Sequence, residues 1–201
     1  DKTGYEWYGI LSKQDHMFPV SDDGKTVITK NPTAEELHRT WRFYVRTGEA
    51  GKVTYRTASS RADRKAFDGR YVQLEDYITT YKMLLNGANA LYRGTEMAKK
   101  TGKGAIAGVA DYYAMTKAAG KQGVNNAVDF SGVGIKAGTD AEGDYLQITY
   151  QTPLNRFYAM YSCNGSLYEP MPEDFINLVG IKNLAGYSSD KSTSPVDNIL
   201  S

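Results

Sequence analysis

The sequence predicts a fold of the α/β or α+β class built on a mixed sheet, and three observations carry that reading. Leu37 to Arg46 alternates apolar and polar positions, the period of a strand. Leu74, Tyr77, Ile78, Tyr81, Leu84 and Leu85 recur at helical spacing between Gln73 and Asn86. Strands and helices then follow one another without a regular strand–helix–strand repeat. No internal repeat is visible, and 201 residues read as a single unit.

The elements follow in order. Ser21-Asp22-Asp23-Gly24 is a turn, with short acceptors before a glycine in the left-handed position. Asn31-Pro32-Thr33 is a second break, and Thr33-Ala34-Glu35-Glu36 can supply one helical turn before the first long strand. In that strand Leu37, Arg39, Trp41, Phe43 and Val45 share an inward face, spoiled only by Arg39. His38, Thr40, Arg42, Tyr44 and Arg46 share the polar face. Lys52 to Thr57 reads as a short strand. Gln73 to Asn86 is an amphipathic helix with Glu75 and Asp76 in its first turn, where acids favour the exposed amides. Ala88 to Lys100 and Ala105 to Ala119 read as two further helices, ended by Gly102 and Gly120.

Asp129 to Lys136 is a loop entering a strand. Asp140 to Gly143 is a turn, and Tyr145 to Tyr150 is a strand with Leu146 and Ile148 inward, stopped by Pro153. Phe157 to Cys163 reads as a helix. Pro172-Glu173-Asp174 opens a last short helix that ends at Gly180.

Composition excludes several function classes. Net charge is +1, from 24 basic and 23 acidic residues, and the charges are interspersed rather than striped. That argues against a nucleic-acid partner. No apolar run approaches the length of a membrane span. The single cysteine, Cys163, forbids an internal disulfide and reads as a buried filler beside Phe157, Tyr158, Met160 and Tyr161. Tyrosine is the outlier, with 16 residues against 6 Phe and 2 Trp. Its flat body and polar tip suit both half-buried strands and wet binding clefts.

No catalytic constellation is recognisable. There is no Gly-x-Ser-x-Gly elbow, no His-Glu-x-x-His and no pair of Cys-x-x-Cys. His16 and His38 have no local partners in a nucleophile–base pattern or a metal-ligand pattern. Gly102, Gly104 and Gly108 lack the Gly-Lys-Ser/Thr of a phosphate loop, so they read as helix stops and close packing. No two acids fall in an evidently apolar setting. The residues themselves thus assign no catalytic role, no cofactor and no metal. Tyr161, Asn164 and Ser166, in a polar interruption between apolar segments, are the candidate ligand-facing residues, with a plain loop as the alternative.

Several segments fall into a familiar order. Val20 to Thr26 (VSDDGKT) resembles the V-S-D-D-G-x-T turn of family-5 extracellular solute-binding proteins, the oligopeptide-, dipeptide- and nickel-binding components of ABC importers. Trp41 to Gly48 (WRFYVRTG) is similar to the strand after it. Phe67 to Tyr77 resembles the approach to the family's long helix. Asp129 to Ala137 (DFSGVGIKA) resembles F-S-G-V-G-V-K-A. Tyr145 to Phe157 and Leu167 to Pro172 resemble the strand and the F-x-P-V-P segment that follow. The departures are an apparent insertion over Val27 to Arg39, and Gln73 where the family caps its helix with Thr.

The resemblance implies a partial lobe of the type II periplasmic-binding-protein kind with a small N-terminal subdomain, the N-terminal part of a larger two-lobed, monomeric protein. It further implies capture of an oligopeptide outside the cell, delivery to the permease subunits of an ABC importer, and a lipoprotein anchor. Such proteins bind a ligand rather than catalyse, and they close two lobes over it, so this chain alone is expected to bind peptide weakly or not at all. The alternative is a stand-alone cell-surface module for carbohydrate or protein, which would carry an exposed aromatic patch. A hydrolase with a dispersed site that depends on His16 or His38 is a third reading.

Overall fold

Trp41, Leu146 and Ile148 are fully shielded from solvent, and the layers build outward from them. The computed structural model describes residues 17–29, 32–48, 52–56, 61–162 and 170–182. Its strands are β1 (Met17–Pro19), β2 (His38–Tyr44), β3 (Ile135–Asp140) and β4 (Gly143–Leu154). They form one sheet in the order β1-β2-β4-β3, and every pairing is antiparallel. The chain is thus a mixture of α and β as expected, but the sheet is not a mixed one. β3 and β4 form a tight hairpin around Ala141 and Glu142, and β4 then inserts beside β2 in the reverse direction, so no parallel crossover arises among the described residues.

One face of the sheet carries Met17, Trp41, Phe43, Leu146, Ile148 and Ile135, all in the core. Helix α2 (Leu74–Leu84) packs against β3 and adds Tyr77, Ile78 and Tyr81 to that core. The remaining helices are α1 (Ala62–Lys65), α3 (Tyr92–Lys99), α4 (Val109–Ala119), α5 (Arg156–Ser162) and α6 (Glu173–Val179).

The opposite sheet face departs from expectation. Thr40, Arg42 and Tyr44 are buried, although their alternation marks a polar, solvent-facing side. The turn at Ser21–Thr26 folds back over them. Its Gly24 has φ +72°, and the Gly24 carbonyl accepts from Gln147 Nε2 at 3.1 Å. Arg42 lies 3.8 Å from the Tyr145 ring centroid and donates to Asp140 Oδ2 (2.7 Å) and Gln147 Oε1 (3.0 Å). The inward face also starts later than predicted. Register slips between His38 and Thr40, so Leu37 is 62% exposed and Arg39 turns to the Tyr150 carbonyl. A bulge of this kind breaks strict alternation.

Four other expectations change. Lys52–Thr57 makes only an isolated bridge, Thr54 to Tyr71, among the described residues. The helix expected over Ala88–Lys100 breaks into a 3-10 turn (Gly87–Asn89) and α3, with Ala90 left-handed at φ +52°. Asn86 and Asn89 cause the break: both side-chain amides donate to the Gly123 carbonyl, and backbone-seeking Asn side chains compete with helix. Ala105–Ala107 lies outside the helix, and Ile106 bridges Tyr150 beside β4. Pro153 does not stop β4 either. It falls in the irregular stretch between the Thr40–Thr149 and His38–Leu154 pairs, where it interrupts no ladder partner.

Candidate binding surface

β4 delivers the chain directly into α5, and Asn155 between them organises the turn. Its side-chain Oδ1 accepts from the Tyr158 amide (3.1 Å) and its carbonyl from the Ala159 amide (3.0 Å), a helix N-cap. Ala159 is fully buried, and Met160 packs against the core. Ser162 Oγ donates to the Ala159 carbonyl at 2.7 Å and also bonds the Tyr150 hydroxyl of β4. The inner side of α5 is thereby tied to the sheet, and spacing forces the other side outward.

That outer side is aromatic. Phe157 is 61% exposed, Tyr158 42% and Tyr161 68%. Phe157 and Tyr161, four residues apart, present nearly parallel rings, 13° between planes and 6.5 Å between centroids. Tyr158 meets Phe157 edge-on at 5.6 Å. Lys103 Nζ stands 3.2 Å from the Tyr158 ring centroid, a cation–π contact. The loop that carries Lys103 is held to β4: Gly102 donates to Gln151 Oε1, and the Gln151 amide donates to the Ala105 carbonyl at 2.8 Å. Each large apolar side chain left in water forgoes about 1.5–3 kcal/mol of burial, and three on one short helix form an exposed aromatic ledge.

Of the three candidate ligand-facing residues, Tyr161 lies on this ledge, whereas Asn164 and Ser166 lie outside the described residues. So do Cys163 and His16. The aromatic run read as a buried setting for Cys163 is instead largely exposed. Phe157, Tyr158 and Lys103 were not singled out as ligand-facing. The signal for the first was present, since Phe157 and Tyr161 lie one helical turn apart, opposite Ala159. Nothing local marks Lys103, which is brought in by the pairing of its loop with β4.

The titratable groups elsewhere are structural in setting. His38 is half-buried, 3.5 Å from Glu36 and edge-on to Trp41. Asp76, expected only to face the helix amides, is buried. Its Oδ2 accepts from Tyr55 Oη and the Gln73 amide, both at 2.8 Å. Burial pushes its carboxyl above the usual value, against the pull of those bonds. Burial likewise pushes the Tyr44 hydroxyl up to about 12, helped by Asp140. Among the described residues no cluster of His, Cys, Asp or Glu could hold a metal, and no helix is long and apolar enough to cross a membrane.

No family model, curated protein or solved structure matches the chain. The ledge contains no nucleophile paired with a base. Its described residues supply stacking area and the Lys103 ammonium.

Proposed function

We propose that the chain is the N-terminal part of the substrate-binding component of an ABC importer, which captures extracellular oligopeptides for delivery to the permease. The observation that carries the binding reading is the exposed, rigidly mounted aromatic ledge of α5, with Tyr161 on it. The peptide and importer parts of the reading rest on the ordered series of segments from the Ser21–Thr26 turn to Pro172 that resembles family-5 solute-binding proteins. Aromatic rings suit peptide side chains of many kinds, because stacking demands little chemical identity. Within this reading the chain is the N-terminal lobe and small subdomain of a two-lobed, type II binding protein, monomeric and anchored at the cell surface as a lipoprotein.

A second reading has a specific observation in its favour. A stand-alone surface module for carbohydrate or protein also calls for an exposed aromatic patch, and α5 carries one. Thermal denaturation separates the two. Stabilisation by a tryptic peptide mixture, with no response to a mixture of oligosaccharides, supports the importer reading, because only ligands of the native state raise the melting temperature. The reverse pattern supports the surface module.

A further inference from the structure

We infer that the ledge takes the carboxyl-terminal end of an extended peptide, with the terminal carboxylate on Lys103 and two alternate side chains on Phe157 and Tyr161. The inference rests on the peptide reading of the same surface and specifies which end binds and in which direction.

Three observations carry it. First, the Phe157 and Tyr161 centroids are 6.5 Å apart with rings nearly parallel. In an extended chain, side chains two residues apart point the same way and lie about 7 Å apart. The two rings thus match positions i and i+2 of a bound strand. Second, Lys103 is pinned over Tyr158, whose ring adjoins Phe157 and not Tyr161 in the described contacts. The cation therefore stands at the Phe157 end of the ledge. Third, the charge there is uncompensated. No carboxylate of the described residues lies within ion-pair distance of Lys103 or Lys100, whereas neighbouring Lys99 has Glu96 at 3.4 Å. Lys100 Nζ folds over Gly104, 2.9 Å from where a side chain there would begin, so a second ammonium stands one residue from Lys103. An ammonium has three donors and no acceptor. A ring face satisfies one side of it, and a carboxylate is the complementary group for the rest.

The test uses the 201-residue chain and fluorescein-labelled peptide GAFAF, with a free carboxylate or a terminal amide, read by fluorescence anisotropy at low salt. The free acid is expected to bind about fivefold more tightly than the amide, the scale of one exposed ion pair. That advantage should shrink as salt is raised. Lys103→Met should abolish the difference between acid and amide, and Lys103→Arg should restore it. Equal binding of acid and amide by the unaltered protein would overturn the inference and leave the peptide reading standing. An acid preference that survives Lys103→Met would overturn the assignment to Lys103. Failure of both peptides to bind at millimolar concentration would overturn the inference, which needs the ledge itself to hold peptide, and would leave standing an importer whose second lobe completes the site.

Discussion

The hydroxyl of Tyr55 lies 2.8 Å from Asp76 Oδ2, the same oxygen that accepts the Gln73 amide at the start of α2. The pair ties the segment before α1 to the long helix, and the Asp76 carbonyl also accepts from the Met171 amide at 3.3 Å. Asp76 thus anchors three stretches of chain, two through its carboxylate and one through its backbone carbonyl. Tyr55→Phe leaves a buried acceptor short of a donor and should cost about 1–3 kcal/mol in urea unfolding.

The same pair makes a pH prediction with a definite sign. Burial raises Asp76 above the ordinary value of 3.8, so just above that pH the folded protein holds a proton that the unfolded chain has lost. Stability from this group is greatest in acid and declines as pH rises through the raised value. Asp140 behaves oppositely. Burial pushes it up, but hydrogen bonds from Tyr44, the Glu142 amide and Arg42 outweigh that and hold it below 3.8. Its contribution is present above 3.8 and is lost as pH falls through the lowered value. In unfolding series across acid pH, the wild-type-minus-Asp76→Asn stability difference should fall with rising pH and the wild-type-minus-Asp140→Asn difference should grow. Parallel curves would contradict both assignments.

Arg42 is 4% exposed, with Nε unpartnered among the described residues and its two remaining nitrogens on Asp140 and Gln147. Asp140→Ala strands a buried guanidinium and should cost about 3 kcal/mol, at the lower end for breaking a buried pair because Asp140 is partly wet. Arg42→Met removes charge and desolvation together and should cost less. The double variant should fall well short of the sum, which a double-mutant cycle reads directly.

Gly94→Ala reverses the usual propensity. Alanine inside a helix normally gains about 1 kcal/mol over glycine. Here the new Cβ would stand 1.7 Å from the Leu84 carbonyl oxygen, so α3 must move away from α2. A net loss of about 1–3 kcal/mol is expected from this overpacking. A gain in thermal stability would show that α3 does not approach α2 in this way.

The parts of the fold legible in the sequence are those where local pattern and tertiary environment agree. The Ser21–Gly24 turn, the core of β2 at Trp41 and Phe43, helix α2 and the Leu146–Ile148 stretch of β4 all lie where period and turn chemistry place them. What escaped was set by distant chain. Thr40 and Arg42 read as solvent-facing because nothing local tells of the Ser21–Thr26 turn folding over them. Ala88–Lys100 read as one helix because the hydrogen bonds that break it reach residues 121 and 123. Asp76 read as a helix-end acid because its partner Tyr55 is 21 residues away. At the candidate site Tyr161 was legible as a polar-edged aromatic, but Lys103 reaches the ledge only through the pairing of its loop with β4.

The ledge itself should be dispensable for folding. Phe157→Ser with Tyr161→Ser alters side chains that are 61% and 68% exposed, and surface changes of this kind stay within about 0.5 kcal/mol each. The melting temperature of the double variant should therefore lie close to that of the parent.

The most direct test of the central claim is amide chemical-shift mapping of the isotope-labelled protein during titration with millimolar GAFAF. Saturable shifts concentrated at residues 156–162 and at Lys103, absent from the Phe157→Ser/Tyr161→Ser variant, are predicted. Shifts elsewhere, or an unchanged response in that variant, would contradict a peptide-binding ledge on α5.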